Sequence, residues 1–181
     1  MIVAVNKHGI IGKNNEMIWH IPEDMKHFRR ETIHNIVIMG RKTYDSLPNG
    51  PLDARTNIVI TSKPENYKDR ARSSTIFCDL DECDEILCKL QANTNKRIFV
   101  IGGAQIYTHF FKRCKTIYVT LVQNEERDGV SIYPLLEEMQ TNYRIISRRQ
   151  CEKPVQALQA AQSVQAVQSI DYEFIVYESP A

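Results

Sequence analysis

Five short runs of β-branched and apolar residues, at 2–5, 36–39, 57–60, 98–101 and 117–122, recur along the chain with turn-forming residues at their ends. They are apolar without strict alternation, which fits strands buried on both faces of a sheet. Helix-like stretches fall between them. Residues 23–32 follow a proline suited to a first helical turn, residues 43–47 make a brief turn of helix, and residues 80–91 place apolar side chains at roughly helical intervals. Alternating strand and helix predicts an α/β fold, a mostly parallel central sheet flanked by helices on both faces. The order changes toward the C-terminus. Residues 143–150 and 172–178 are strand-like with no apolar crossover helix between them, so an antiparallel C-terminal edge pair is expected.

At 181 residues the chain is expected to form one domain over 1–181. A low-complexity insert at about 154–170 interrupts it, where Gln156, Gln159, Gln162, Gln165 and Gln168 recur every third residue. That period matches neither strand nor helix, and a surface loop or marginal helix without catalytic duty is the expectation. With 23 basic and 22 acidic residues the net charge is +1, which gives no field to attract nucleic acid or an anionic membrane. A small-molecule ligand fits better. Cys78, Cys83, Cys88, Cys114 and Cys151 are odd in number and lack close paired or metal spacing, so reduced cytoplasmic thiols and no metal centre are expected. The opening MIVAV meets Asn6, Lys7 and His8 too soon for a signal-peptide core, and no run approaches membrane-spanning length.

Three elements carry chemistry. In Trp19-His20-Ile21-Pro22-Glu23-Asp24-Met25-Lys26-His27-Phe28, Pro22 opens a helix, so Asp24 lies in its first turn and Phe28 one turn on along the same face. A carboxylate and an aromatic ring would line one wall of a pocket. In Met39-Gly40-Arg41-Lys42-Thr43 a glycine joins strand to helix and is followed by two cations and a hydroxyl, a combination suited to phosphate. In Ile98-Phe99-Val100-Ile101-Gly102-Gly103-Ala104-Gln105-Ile106-Tyr107 a strand runs into paired glycines that let a pyrophosphate approach the backbone, without the full dinucleotide fingerprint.

Together with Leu52-Asp53-Ala54-Arg55-Thr56-Asn57 and Tyr118-Val119-Thr120, these motifs resemble the dihydrofolate reductase family across nearly the whole chain outside the glutamine-rich insert. The resemblance implies transfer of a hydride from NADPH to C6 of dihydrofolate with protonation of N5; a monomer is the simplest expectation. It implies that Asp24 is the ionisable group of the pterin pocket, oriented by Thr120, with Trp19 beside it. It places Ile2, Val3, Met25, Phe28, Leu47, Leu52, Ile101 and Tyr107 around the substrate, and Arg55 on its glutamate α-carboxylate, where a guanidinium fork fits. For NADPH it implies Ala4, Ile11, Gly12 and Met17 at the nicotinamide, and Gly40, Arg41, Lys42 and Thr43 at the phosphates. Thr61, Ser62 and Lys63 would take the adenosine end, and Ile101, Gly102, Gly103, Ala104, Gln105 and Ile106 the pyrophosphate. Residues 9–18 would be the lid over the nicotinamide.

The chain departs from the family pattern at Ile18, where proline is usual before the tryptophan, at His20, at Gln105 and across residues 128–134. These bear on lid motion and cofactor affinity and leave Asp24 in place. Two other readings are a related pterin or pyrimidine reductase and a non-catalytic homologue. The Asp24 and Arg55 pair speaks against the first, and the intact Asp24, Thr120, Gly102 and Gly103 set against the second.

Overall fold

A computed structural model of the protein describes residues 1–70, 74–151 and 170–180, so the glutamine-rich insert lies almost wholly outside the described residues. The parallel strands fall where the apolar runs lie. β1 (Ile2–Asn6) pairs in parallel with β7 (Thr116–Val122). β3 (Ile36–Gly40) pairs in parallel with both β4 (Thr56–Ile60) and β6 (Ile98–Gly102). β5 (Thr75–Cys78) extends that set beside β4. The hydrogen-bonded ladders form two four-stranded sheets, ordered β5-β4-β3-β6 and β1-β7, the latter continuing to β10 (Tyr172–Glu178) and β9 (Arg144–Cys151). β6 packs against β1, so the two sheets meet along that seam. β10 is antiparallel to both β7 and β9, which makes the C-terminal edge antiparallel as the sequence pattern predicts.

Among the described residues, five helices cover these sheets: α1 (Pro22–Thr32), α2 (Arg41–Asp45), α3 (Leu80–Asn93), α4 (Ala104–Phe110) and α5 (Tyr133–Asn142). Pro22 takes a first-turn position of α1, where its missing N–H costs nothing. The predicted turn of helix at 43–47 lies two residues earlier, because Gly40 is already the extended cap and Pro48 disfavours helical geometry at Leu47. α5 and the short strand β5 are additions to the elements expected from the sequence. One apolar cluster, containing Val3, Val5, Ile38, Val100, Ile106, Tyr107, Val119 and Leu136, binds helices to both sheets across the seam.

Two short strands hold the loop predicted to be a lid. β2 (Ile10–Gly12) pairs with β8 (Val130–Ser131), and Lys13 and Glu16 exchange backbone hydrogen bonds of 2.9 Å around a turn at Asn14 and Asn15. Gly129 adopts φ +148°, and a Cβ there would sit 2.5 Å from the Gly12 carbonyl oxygen, so only glycine allows this approach.

Candidate active site

The seam between β1 and β6 brings the candidate residues of three elements together. Asp24 reaches from the first turn of α1 to β7, where the Thr120 hydroxyl donates to its Oδ1 at 2.5 Å. Thr120 stands opposite Ala4 of β1 and Phe174 of β10, near the middle of its sheet, and is buried. Burial raises the pKa of Asp24 above the usual carboxylate value, and the Thr120 hydrogen bond opposes that rise without cancelling it. Oδ2 carries no hydrogen bond from the described residues. Glu23, its neighbour, faces elsewhere and accepts from the Tyr172 hydroxyl at 3.5 Å.

Tyr107 closes the far side. Its hydroxyl donates to the Ile2 carbonyl at 2.9 Å, burial drives its pKa up, and the nearby Asp24 charge pushes it in the same direction. The ring lies on Gly102, at φ +116°, where a Cβ would come within 3.1 to 3.2 Å of three of its atoms. A side chain at 102 would press on the Tyr107 ring that bonds Ile2, at a φ that favours glycine. One carbonyl lone pair of Ile2 is thus engaged, and the second stays available to a ligand.

Five of the apolar residues expected around the substrate pack together. Ile2, Phe28, Leu47, Leu52 and Ile101 share one cluster with Val37, Met39, Tyr44 and Phe99. Met25 does not join it and is 58% exposed. Trp19 is buried with Ala4, Ile18 and Ile21 against β7 and β10, and its indole N–H has no partner among the described residues. Arg55 is only 6% exposed. Its Nε donates to the Asp53 carbonyl at 2.9 Å and its Nη1 to Thr32 Oγ1 at 3.1 Å, while no carboxylate of the described residues pairs with it. Burial, followed by repulsion from Arg29, lowers its pKa.

Sequence reasoning missed the residues that shape the loop around Arg55. Asn57 is fully buried; its Nδ2 donates to the carbonyls of Leu52 (3.0 Å), Arg55 (3.1 Å) and Ser74 (3.3 Å), and its Oδ1 accepts from the Leu52 amide at 3.0 Å. Thr32 holds Arg55 while donating to the Phe28 carbonyl at 2.7 Å. Asn6 at the end of β1 accepts from the amides of His8 (3.0 Å) and Ile10 (2.9 Å) and donates to the Glu126 carbonyl (2.7 Å), fixing the start of the lid. The signal was a polar residue ending an apolar run, which does not by itself name a partner. His27, whose spacing suggested nothing, is buried with its ring 4.6 Å from Phe174 and its Nδ1 2.7 Å from Arg30 Nη2.

Beyond the seam lie the glycines of the turns that follow β3 and β6. A Cβ on Gly40 would lie 3.1 Å from Ile106 and 3.9 Å from the Gly102 oxygen, and one on Gly103 would lie 3.5 Å from Thr43 Oγ1. The turn after β3 and the turn after β6 are therefore in contact across their glycines. Arg41, Lys42 and Thr43 open α2 directly after Gly40, the Thr43 hydroxyl lies beside Gly103, and Asn15 of the lid donates to the Lys42 carbonyl at 3.0 Å. Ile11 and Ala104 pack at the margin of the main core, Gly12 is buried, and Met17 and Gln105 are exposed. Thr61 is buried and accepts from the Lys63 amide at 3.3 Å, and Ser62 and Lys63 are exposed.

A family model described as dihydrofolate reductase matches residues 1–170. The chain belongs to the dihydrofolate reductase family. It is 32% identical over 177 residues to the dihydrofolate reductase of Bacillus subtilis (strain 168), covering 98% of this chain and 92% of that one. It is 36% identical over 141 residues to the type 9 dihydrofolate reductase of Escherichia coli, covering 71% and 72% respectively. Among solved structures, a dihydrofolate reductase from Enterococcus faecalis complexed with NADP(H) and RAB-propyl superposes with a TM-score of 0.73 at 25% identity, covering 99% of this chain and 95% of that one.

Proposed function

We propose that the chain reduces 7,8-dihydrofolate to tetrahydrofolate with NADPH, and that Asp24 is the residue through which the protein controls the proton. The observation that carries this reading is the half-buried Asp24 bonded to the buried Thr120, a carboxyl group of raised pKa held by one oxygen with no hydrogen bond from the described residues to the other. Such a group keeps its proton to higher pH than a solvated carboxylate and can lend it at Oδ2 to a ring nitrogen of a bound pterin. Thr120 and α1 fix its position. NADPH, when bound, supplies the hydride.

The remaining residues bind and orient. Arg55, a buried cation with no carboxylate of its own among the described residues, suits the anionic tail of a folate. Ile2, Val3, Phe28, Leu47, Leu52, Ile101 and Tyr107 supply the apolar pocket, and Met25 lies at its rim. The contacting glycine turns at Gly40 and Gly102–Gly103, with Arg41, Lys42 and Thr43, fit a dinucleotide pyrophosphate. Ala4, Ile11, Gly12, Met17 and Trp19 would line the nicotinamide side under the lid, and Thr61, Ser62, Lys63, Ala104, Gln105 and Ile106 the rest of the cofactor. Lid closure over residues 9–18 excludes water from the reacting atoms. We read residues 1–181 as one domain acting as a cytoplasmic monomer; the free thiols among the described residues support the compartment.

Mixing the protein with NADPH and dihydrofolate and monitoring absorbance loss tests the reading. Wild-type protein is expected to turn over and Asp24→Asn to bind NADPH with little turnover; equal rates in the two would remove Asp24 from the reaction.

A further inference from the structure

One side of the cofactor surface contains a charge that a site for anions does not require. Arg41 Nη1 donates to Asp45 Oδ2 at 2.7 Å across one turn of α2, and Arg70 Nη1 lies 3.8 Å from Asp45 Oδ1. One carboxylate is thus shared by two guanidinium groups from separate segments. Asp45 also lines a cleft of about 400 Å³ with Asn66, Tyr67 and Arg70. Its aromatic wall is fixed. Tyr67 stacks on Phe77 at 4.8 Å and 19°, Phe77 meets Tyr44 edge-on at 5.2 Å, and the Arg70 guanidinium lies 5.7 Å from the Tyr67 ring centre.

The position of this cleft gives it meaning. One wall continues from Arg41, Lys42 and Thr43, and the other from Thr61, Ser62 and Lys63 through the 3₁₀ segment Pro64–Arg70. A role for Asp45 at this place rests on the proposed assignment of those two segments to the phosphates and the adenosine end of NADPH. Partly exposed ion pairs add little to stability, so fold maintenance is a weak reason for the arrangement. Its effect on an incoming anion is stronger. A phosphate dianion and the Asp45 carboxylate cannot both occupy the Arg41 fork, because like charges at such range repel.

We propose that Asp45 is a specificity-determining residue that holds Arg41 and Arg70 beside the cleft and competes with the cofactor's 2′-phosphate for them. The chain therefore prefers phosphorylated over unphosphorylated dinucleotide less strongly than two free arginines would allow, and the preference is set by a residue that does not touch the reacting atoms.

Calorimetric titration with 2′,5′-ADP and 5′-AMP tests this without turnover. At low salt Asp45→Asn is expected to tighten 2′,5′-ADP by about 3- to 10-fold and leave 5′-AMP within about twofold, with the gain shrinking as salt screens the exposed charges. Arg70→Gln is expected to weaken 2′,5′-ADP by about 10-fold, the order expected for one charge-assisted contact. NADPH binding that persists while Asp45→Asn leaves the ratio of the two affinities unchanged overturns the proposal alone. Wild-type protein that binds none of the three nucleotides overturns the cofactor reading together with it.

Discussion

The two sides of the seam organise charge in opposite ways. On the proposed substrate side, Asp24 is half-buried and Arg55 buried, and they are held by Thr120, Thr32 and a backbone carbonyl. On the cofactor side, Arg41, Lys42, Asp45, Lys63 and Arg70 stand nearer the surface, and the ion pairs among them are made with one another. A buried charge has its pKa moved by its surroundings and acts at one place; a solvated charge acts through its field and is weakened by salt. Substitutions on the first side should therefore change chemistry or substrate recognition sharply, and those on the second should change affinities by smaller factors that depend on ionic strength.

The largest break is expected at Asp24. Asp24→Asn should lower turnover at neutral pH by about 10²- to 10⁴-fold, the range of a positioned proton donor, while NADPH affinity by calorimetry stays close to wild type. The same variant should be more stable at neutral pH. The folded carboxyl has a raised pKa, so its favourable contribution is complete below the unfolded value and is lost as pH rises through the folded value. The melting difference between variant and wild type should thus open as pH rises and close in acid.

Next is Arg55. Arg55→Gln should raise the KM for dihydrofolate by about 10²-fold, as expected when a buried charge loses its ionic role, and leave a reduced pterin without a carboxylate tail almost unaffected. Equal losses for both substrates would show that Arg55 supports the loop rather than the ligand. Thr120→Val should have a smaller effect, about tenfold on rate for one lost hydrogen bond to a charged group. Because that bond lowers the pKa of Asp24, removing it should move the alkaline limb of the pH profile upward. The smallest effect is at the lid, where Lys13 Nζ lies 2.8 Å from Asp128 across exposed side chains. Asp128→Asn should alter rates by no more than about threefold and only at low salt.

The same contrast explains what the sequence could show. Asp24, Phe28, Gly40, Gly102 and Arg55 are legible because helix phase, strand-to-turn position or family motif marks each one, and the parallel core is legible from runs of Ile and Val. β5 is only four residues long, and α5 opens with Pro134 in its first turn, a signal like Pro22 that the motifs around it left unread. Asn6, Thr32 and Asn57 escape notice for a different reason. A buried amide or hydroxyl is informative only once its partners from distant strands are known, and those partners are mostly backbone carbonyls and amides that every residue possesses. The motif around Met25 suggests a place within the pocket, yet its position on α1 leaves it largely exposed at the rim. Arg41 reads as a free phosphate ligand in sequence, because its i,i+4 partner Asp45 is ordinary there and significant only beside Arg70 and the cleft.

Asp24 is central to the proposed function, in which it controls the proton that accompanies hydride transfer. The direct measurement is the pH dependence of single-turnover NADPH oxidation by wild-type protein and Asp24→Asn, each saturated with dihydrofolate. The wild-type rate should fall as pH rises through a pKa above that of a free carboxyl group, and the variant should be slow with that ionisation absent. An unchanged ionisation in the variant would contradict the account.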